Sequence, residues 1–239
     1  MITLVIFTFK RTDRLLKCLR TIDSKNVNEI LIFNDDESNE LNQNKLGLDN
    51  NIIRIFNPSD WGFSGRKFRK PIYLNKAIQM AKNNKILFSD DDGKFSKGTI
   101  DLHHETLAKF NFSVGAIIRG RLLNRISKSI LQGTNYAFKK SFFSELGGYD
   151  ETFCDSMGGG DVDFWYRIYT LSQTQNIPVA FLPNAIQKVT AKSSRRKITR
   201  NLDPKEYTLN KHGLNLDGPM YKWFPEIRDK QKWMTVIDG

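Results

Sequence analysis

The chain opens with a run of apolar residues and continues with a helical pattern. Residues 2–7 are almost entirely apolar, which is typical of a strand buried on both faces of a sheet. After a polar turn, apolar side chains recur between Leu15 and Ile22 with the spacing of one helix face. Thr12 or Asp13 is placed to cap this helix. The pattern therefore predicts a strand followed by a helix.

Similar apolar runs and helical patterns alternate up to the acidic triplet at residues 90–92. They predict strands over Glu29 to Phe33, Ile52 to Phe56 and Lys85 to Phe88, and a helix between residues 74 and 81. Strands that alternate with helices favour a mostly parallel central sheet flanked by helices, the doubly wound α/β class. Ligands of such sheets bind beyond the carboxyl ends of the strands.

The second half of the chain is less regular. It predicts strands over residues 114–119, 133–138 and 178–182, and helices over residues 140–146 and 161–170. From Lys192 onward the chain is basic, polar and aromatic. We therefore expect one α/β domain over residues 1–191, and a basic C-terminal extension or lid over residues 192–239 that packs on it.

Lysine and arginine outnumber the acidic residues by 37 to 26, which gives a formal net charge of +11. The basic residues crowd at Arg66–Lys70 and at Lys192–Arg200. This excess is compatible with an ordinary solvated surface, and equally with attraction to phosphate groups or to an anionic membrane. No nucleic-acid-binding motif accompanies the charge, so we expect no nucleic-acid partner.

Three features favour a cytoplasmic location. No apolar run approaches the length of a membrane-spanning helix, and the N-terminus lacks the layout of a secretory signal. Cys18, on a predicted helix, and Cys154, in a predicted polar loop, are the only cysteines and are not expected to form a disulfide. The basic surface leaves open a peripheral contact with the inner face of the membrane.

Three aspartates follow the fourth predicted strand. Asp90 and Asp92 are alternate residues of an extended segment, so their side chains can share one face. Adjacent carboxylates repel one another unless a cation neutralises them. Their hard oxygens suit Mg²⁺ or Mn²⁺, which completes its coordination shell with diphosphate oxygens and water. The alternative for these residues is a solvated turn with capping aspartates.

A glycine-rich segment leads into the predicted helix at residue 161. Gly158 to Gly160 would let the backbone approach a ligand closely. Asp161 stands at the helix N-terminus, where the helix dipole favours a carboxylate, and it could accept a proton from an attacking hydroxyl. A plain capping role is the alternative. Trp165 and Tyr166 follow, and they either line a ligand site beside Asp161 or pack in the core.

Taken together, these segments resemble the family 2 glycosyltransferases, which have the GT-A fold, a Rossmann-like nucleotide-sugar-binding architecture. The resemblance includes that family's DxD metal motif and its Gly-Glu-Asp-x-Asp motif. In chain order it rests on residues 5–11, Asn34–Asp35, Asp90–Asp92, residues 133–138, residues 147–151, Gly159–Asp163 and Lys211–Gly213. Each motif is short, and it is their ordered succession that carries the resemblance.

The resemblance implies a nucleotide-binding role for several residues. Thr8 and Arg11 would border the nucleotide. Asp35 would contact its base, usually uracil in this family. Asn75, in the helix before the acidic triplet, would lie near the nucleotide or the diphosphate.

The resemblance also implies the chemistry. Asp90 would touch the ribose or a metal-bound water, Asp91 would stand with it beside the nucleotide, and Asp90 and Asp92 would hold Mn²⁺ or Mg²⁺. Asp161 would be the catalytic base of an inverting transfer. The sugar would pass from a nucleoside-diphosphate sugar, expected to be a UDP-sugar, to a hydroxyl of a glycan or lipid-linked saccharide.

The sequence departs from the family pattern at three places. Gly160 stands where the family has Glu, Asp36-Glu37 replace a compact Asp-Gly, and residues 189–190 lack a His that many relatives use as a metal ligand. The basic residues Arg195–Lys197, on the expected lid, would add positive charge near the phosphates. Gly160 keeps open a catalytically impaired carbohydrate-binding relative.

A sugar nucleotidyltransferase is a further alternative, because such enzymes have a related sheet. They normally carry a glycine-rich phosphate loop after the first strand. Residues 7–11 of this chain contain no glycine, which counts against this class.

Overall fold

The opening apolar run forms the middle of a mixed sheet in the computed structural model. The structure describes residues 1–48, 51–61, 68–119, 126–127, 133–156, 158–189, 202–217, 224–229, 231 and 233–238. The strands are β1 (Ile2–Thr8), β2 (Val27–Asn34), β3 (Ile53–Phe56), β4 (Lys85–Asp90), β5 (Gly93–Phe95), β6 (Phe112–Arg119), β7 (Ile126–Ser127), β8 (Tyr136–Lys139), β9 (Val179–Val189) and β10 (Thr235–Val236).

Helices cover both faces of this sheet. They are α1 (Thr12–Leu19), α2 (Lys70–Met80), α3 (Thr99–Lys109), α4 (Lys140–Glu145), α5 (Gly160–Gln175), α6 (Pro204–His212) and α7 (Pro225–Arg228), with 3-10 turns at Pro58–Trp61 and Glu151–Asp155. Thr12 and Asp13 are the first residues of α1, and its N-cap position is Arg11 instead.

The strand order is β10-β9-β6-β8-β4-β1-β2-β3, with β5 paired to β9 and β7 paired to β6. The neighbours β4, β1, β2 and β3 are parallel, as are β6, β9 and β10. β8 is antiparallel to both β4 and β6. The predicted mostly parallel central sheet flanked by helices is therefore confirmed.

The alternation of side chains along β1 explains the two layers. Leu4 and Ile6 face a core that includes residues of α1 and α3, whereas Val5 and Phe7 face a core shared with α2, α4 and α5. A strand with apolar layers on both faces must be apolar at nearly every position. Trp165 is buried in the second core, so it does not line an acceptor site.

Several boundaries differ from the prediction because tertiary pairing decides them. β9 is longer than predicted, since the chain continues past Leu182 through an irregularity opposite Gly115 and Ala116. β8 begins at Tyr136, later than predicted. Cys154 lies buried in a 3-10 turn, not in a polar loop, and both cysteines are free.

The described part of the C-terminal segment packs on the same sheet. β10 pairs with β9 at its edge, and Phe224, Ile227 and Met234 are buried with α5. The basic segment Lys192–Arg200, and with it Arg195–Lys197, lies outside the described residues, and the domain boundary at residue 191 stays a prediction. No helix in the described ranges is long and apolar enough to cross a bilayer.

Candidate active site

The candidate site lies at the carboxyl ends of three parallel strands. β1 ends at Thr8, β2 ends at Asn34, and β4 ends at Asp90. Because these strands are parallel neighbours, their carboxyl ends meet at one edge of the sheet. The acidic triplet and the segment that begins at Asp35 therefore come together, as the sequence predicts.

Asp91 is the internal member of the triplet. Its side chain is fully buried and accepts hydrogen bonds from Thr8 Oγ1 at 2.7 Å and from Arg11 Nε at 3.1 Å. Arg11 Nη2 lies 2.8 Å from its other oxygen. Burial raises the pKa of Asp91 to about 6, although Arg11 and Thr8 oppose the shift. Thr8, Arg11 and Asp91 thus form an anchor beneath the site.

Asp90 and Asp92 reach the surface of the site. Their side chains are 28% and 11% exposed, whereas that of Asp91 has no exposure. Lys70 Nζ donates to Asp90 Oδ1 at 2.7 Å, and Arg11 Nη1 donates to Asp92 Oδ2 at 3.1 Å. Burial raises the pKa of Asp92, and the neighbouring charge of Asp90 adds to the shift. The two carboxylates therefore share one acidic surface.

Lys70 connects this surface to Asp161. Its ammonium also donates to the carbonyl of Gly133 at 3.0 Å. A Cβ atom built on Gly133 would lie 2.6 Å from Asp161 Oδ2, so the Asp161 carboxylate is packed against that glycine. Burial lowers the pKa of Lys70, but Asp90 and Asp161 outweigh burial, and the pKa is raised. The structure thus brings Asp161 to the acidic triplet, with one ammonium acting on both.

The N-terminus of α5 positions Asp161. Gly158 and Gly159 have φ values of +116° and +89°, a backbone that L side chains rarely adopt, and α5 begins at the next residue. Asp161 is in the first turn, where the helix dipole stabilises a carboxylate. Burial raises the pKa of Tyr149, and the Asp161 charge raises it further.

Asp35 and Asn75, which are also predicted to lie near the nucleotide, each have partners within the protein. Asp35 is fully buried and accepts a 2.9 Å hydrogen bond from Arg69, which also contacts Glu37. Asn75 accepts from the Tyr149 backbone N–H at 2.8 Å and donates to the carbonyl of the same residue at 2.9 Å. In this structure Asp35 holds the residue before Lys70, and Asn75 joins α2 to the turn after Gly148.

Lys70 and Arg69 are site residues that the sequence motifs do not single out. Both belong to the basic cluster at residues 66–70, and that charge pattern by itself indicates only a solvated surface or attraction to phosphate groups. A usable signal was present, because Lys70 directly precedes Pro71, and proline is common at the first turn of a helix. A cation that begins a helix at the carboxyl edge of a parallel sheet is placed to meet the acidic strand end.

The donor atoms fit a divalent cation in kind. Asp90 and Asp92 offer partly exposed hard oxygens, and Mg²⁺ is commonly bound through one or two carboxylates plus substrate phosphates and water. Within the part of the chain that the structure describes, no group of three or more His, Cys, Asp or Glu side chains could hold a metal ion. A bound ion would therefore take its remaining ligands from the diphosphate and water.

Comparison with solved structures identifies the architecture. The mannosyltransferase PcManGT from Pyrobaculum calidifontis, solved with GDP-Man and Mn²⁺, superposes with a TM-score of 0.60 at 12% identity, over 96% of this chain and 69% of that one. The chain has the GT-A fold. S. aureus TarS 1-349 shares it with a TM-score of 0.53 at 11% identity, over 80% of this chain.

The GT-A similarity to TarS spans 58% of that chain. No family model matches this sequence, and no curated protein matches it either. At these identities the comparison shows the GT-A fold and does not extend to the chemistry of the site.

Proposed function

We propose that this protein is a glycosyltransferase that moves a sugar from a nucleoside-diphosphate sugar to a hydroxyl acceptor, with inversion at the anomeric carbon. The observation that supports it best is the meeting of Asp161 with the acidic triplet around Lys70, at the carboxyl edge of a GT-A sheet. In sheets of this class that edge is where ligands bind.

Asp161 acts as the general base in this proposal. Its position in the first turn of α5 favours the ionised form, so it can accept the proton of the acceptor hydroxyl. Gly133 leaves room for its carboxylate, and Lys70 holds positive charge beside it. The deprotonated acceptor hydroxyl would attack the anomeric carbon from the side of Asp161, and the diphosphate would leave toward the acidic triplet. This is a single displacement.

Asp90 and Asp92 would hold Mn²⁺ or Mg²⁺ through their accessible oxygens. Bound there, the ion would act as a Lewis acid that stabilises the departing diphosphate. Arg11 and Thr8 fix Asp91 from below and so keep the turn in place. Lys70 adds a second positive charge at the same edge.

The family resemblance favours a UDP-sugar as the donor. A GDP-sugar is the alternative donor, because one structural neighbour was solved with GDP-Man. A thermal-shift screen of UDP-, GDP- and dTDP-sugars, with and without Mn²⁺, separates these donors, because a bound ligand raises the melting temperature. A glycan or lipid-linked saccharide is the proposed acceptor, and the net charge of +11 would favour an acceptor presented at an anionic membrane.

The decisive experiment compares Asp161→Asn and Asp92→Ala with wild type in a transfer assay with Mn²⁺. We expect Asp161→Asn to lower turnover by roughly 10²- to 10⁴-fold while donor binding persists. Asp92→Ala should weaken Mn²⁺-dependent donor binding. Asp13→Asn, on the exposed side of α1, is the matched control.

Wild-type turnover in Asp161→Asn would exclude the base role, and wild-type metal dependence in Asp92→Ala would exclude the metal role. Gly160, which lacks the carboxylate of the family motif, favours one alternative, a catalytically impaired nucleotide-sugar-binding relative. Metal-dependent UDP binding without turnover on any acceptor would favour that alternative.

A further inference from the structure

Helix α6 covers the turn that carries Asp161. The side chain of Pro204, at the start of α6, packs on Gly159 so closely that a Cβ atom there would lie 2.7 Å from the proline Cβ. The ring of Tyr207 meets Phe153 edge-on, with centroids 5.2 Å apart. The residue before α5 is therefore packed against a helix that lies some 45 positions later in the chain.

Asp163 is the centre of this contact. Its side chain is 1% exposed and lies two residues after Asp161 in the first turn of α5. Arg167 Nε and Nη2 approach one of its oxygens at 2.9 and 2.8 Å. Lys211 Nζ and His212 Nε2 both lie 2.8 Å from the other oxygen. Two neighbouring residues at the end of α6 thus hold a buried carboxylate on α5.

Lys211 makes a second ion pair that closes the cluster. Its ammonium lies 2.7 Å from Asp150 Oδ2, which also accepts from the Tyr207 hydroxyl at 2.7 Å. Burial lowers the pKa of Lys211, but Asp150 and Asp163 outweigh it, so the pKa is raised. The lysine therefore connects the turn before α5 to the first turn of α5 itself.

We propose that Lys211 and His212 are positioning residues: through Asp163 they hold the first turn of α5 and so fix the direction of the Asp161 carboxylate. This proposal rests on the proposed function, because it assumes that Asp161 is the base. Lys211 and His212 would thereby serve the site through α5.

Magnitudes make this coupling measurable. A buried carboxylate that loses one cationic partner is left partly uncompensated, which favours rearrangement of the turn that carries it. Displacement of a catalytic group by about 1 Å can lower the rate by about 100-fold. A loosened first turn of α5 should thus lower turnover while leaving the donor site, at the far side of Lys70, unchanged.

The test uses Lys211→Met, which removes the charge and retains the length of the side chain, with Lys211→Arg as the conservative variant. Lys205→Met is the matched control, since Lys205 is on α6 and its side chain has no hydrogen bond or ion pair to the described residues. The readouts are kcat and donor KM, donor affinity by thermal shift, and hydrogen exchange of the backbone amides of residues 159–165.

In Lys211→Met we expect kcat to fall by about 10- to 100-fold, donor KM to stay within about 2-fold, and the amides of residues 159–165 to exchange at least about 10-fold faster. Lys211→Arg should recover most of both effects, and Lys205→Met should match wild type. His212→Gln should show a smaller effect of the same kind.

Unchanged exchange and unchanged kcat in both Lys211→Met and His212→Gln would overturn the proposal. If Lys211→Met does not fold, His212→Gln decides by the same readouts. Exchange is independent of catalysis. Faster exchange in Lys211→Met would support the coupling between α6 and α5 even if Asp161→Asn turned out to be fully active. Full activity of Asp161→Asn would refute only the base role, so the two failures are distinguishable.

Discussion

At the scale of single residues, each carboxylate of the acidic triplet has a cationic partner. Lys70 pairs with Asp90, and Arg11 is shared between Asp91 and Asp92. This pairing explains how three adjacent carboxylates can lie at one edge of the sheet without strong mutual repulsion. Substitution of Asp90 would remove a partner of Lys70, whereas substitution of Asp91 or Asp92 would remove one of the two partners of Arg11.

The two glycines that flank Asp161 should respond differently to an added methyl group. In Gly133→Ala the new Cβ would lie 2.6 Å from Asp161 Oδ2 and would displace the carboxylate, so we expect turnover to fall at least about 10-fold. In Gly160→Ala the nearest atom is Phe153 Cβ at 3.5 Å, an ordinary contact, and turnover should stay within about 3-fold. Steady-state kinetics with a check of thermal stability measures both. Equal losses would contradict the packing described.

Lys70 would compete with a divalent ion for Asp90 if the ion binds there as proposed. Because the ammonium lies 2.7 Å from Asp90 Oδ1, an ion binding that oxygen has to displace it. Lys70→Met should therefore bind Mn²⁺ in the absence of nucleotide at least as tightly as wild type, and turnover should nevertheless fall because a positive charge is lost from the site. Isothermal titration calorimetry with Mn²⁺ and a transfer assay test these two expectations. Weaker ion binding in Lys70→Met would show that the lysine supports the metal site.

At the scale of elements, the sequence predicts what local periodicity determines. The strands before residue 90 and helix α5 follow from apolar runs and a glycine-rich start, and the edge that they form follows from parallel order. The roles of Lys70 and Lys211 do not follow from the sequence pattern. Their partners, Asp90 and Asp163, lie 20 and 48 positions away, and no periodicity encodes such a pair. The strand β10 has only two residues, and both are exposed, so no run of buried apolar positions predicts it.

The contact between β5 and β9 supports the acidic turn from below. Gln187 is fully buried, donates to Ser89 Oγ at 2.6 Å and accepts from Thr134 Oγ1 at 2.8 Å, while Thr134 in turn receives the Asp90 backbone N–H. Such a satisfied buried network fixes the strand end that carries the triplet.

Gly93→Ala should disrupt this network. A Cβ atom at Gly93 would lie 2.2 Å from Gln187 Nε2, so the amide would have to leave its partners. We expect a loss of roughly 1–3 kcal/mol in the free energy of unfolding, measured in urea. Gly160→Ala, which meets only ordinary contacts, is the control. A Gly93→Ala variant as stable as wild type would mean that Gln187 has free space in which to move.

At the scale of the whole molecule, one buried histidine joins three parts of the fold. His103 on α3 is fully buried, and its ring nitrogens lie 2.8 Å from Ser113 Oγ on β6 and 3.2 Å from Asn135 Oδ1 before β8. Burial lowers the pKa of His103 to about 4, although Asn135 opposes the shift. The folded chain therefore holds this ring neutral where an unfolded chain would protonate it.

This histidine should make the protein less stable in acid. The unfolded chain takes up a proton below about pH 6.5 and the folded chain only below about pH 4, so stability falls as the pH drops through that window, by up to roughly 3 kcal/mol. In His103→Gln the free energy of unfolding should vary less with pH, so its difference from wild type should shrink as the pH falls. Urea titrations between pH 4 and pH 7 measure this. Parallel pH profiles would contradict it.

The reversed strand β8 has a consequence for the edge of the sheet that holds the acidic triplet. Because β8 is antiparallel to β4 and β6, the connection from β6 to β8 both leaves and re-enters the sheet at the edge that holds Asp90. The residues that lead into β8 therefore reach the acidic triplet: the Gly133 carbonyl accepts a hydrogen bond from Lys70, and Thr134 Oγ1 accepts one from the Asp90 backbone N–H. A chain that took this connection from another protein would have to retain the Gly133 carbonyl and the Thr134 hydroxyl in their places to keep the acidic triplet anchored to the start of β8.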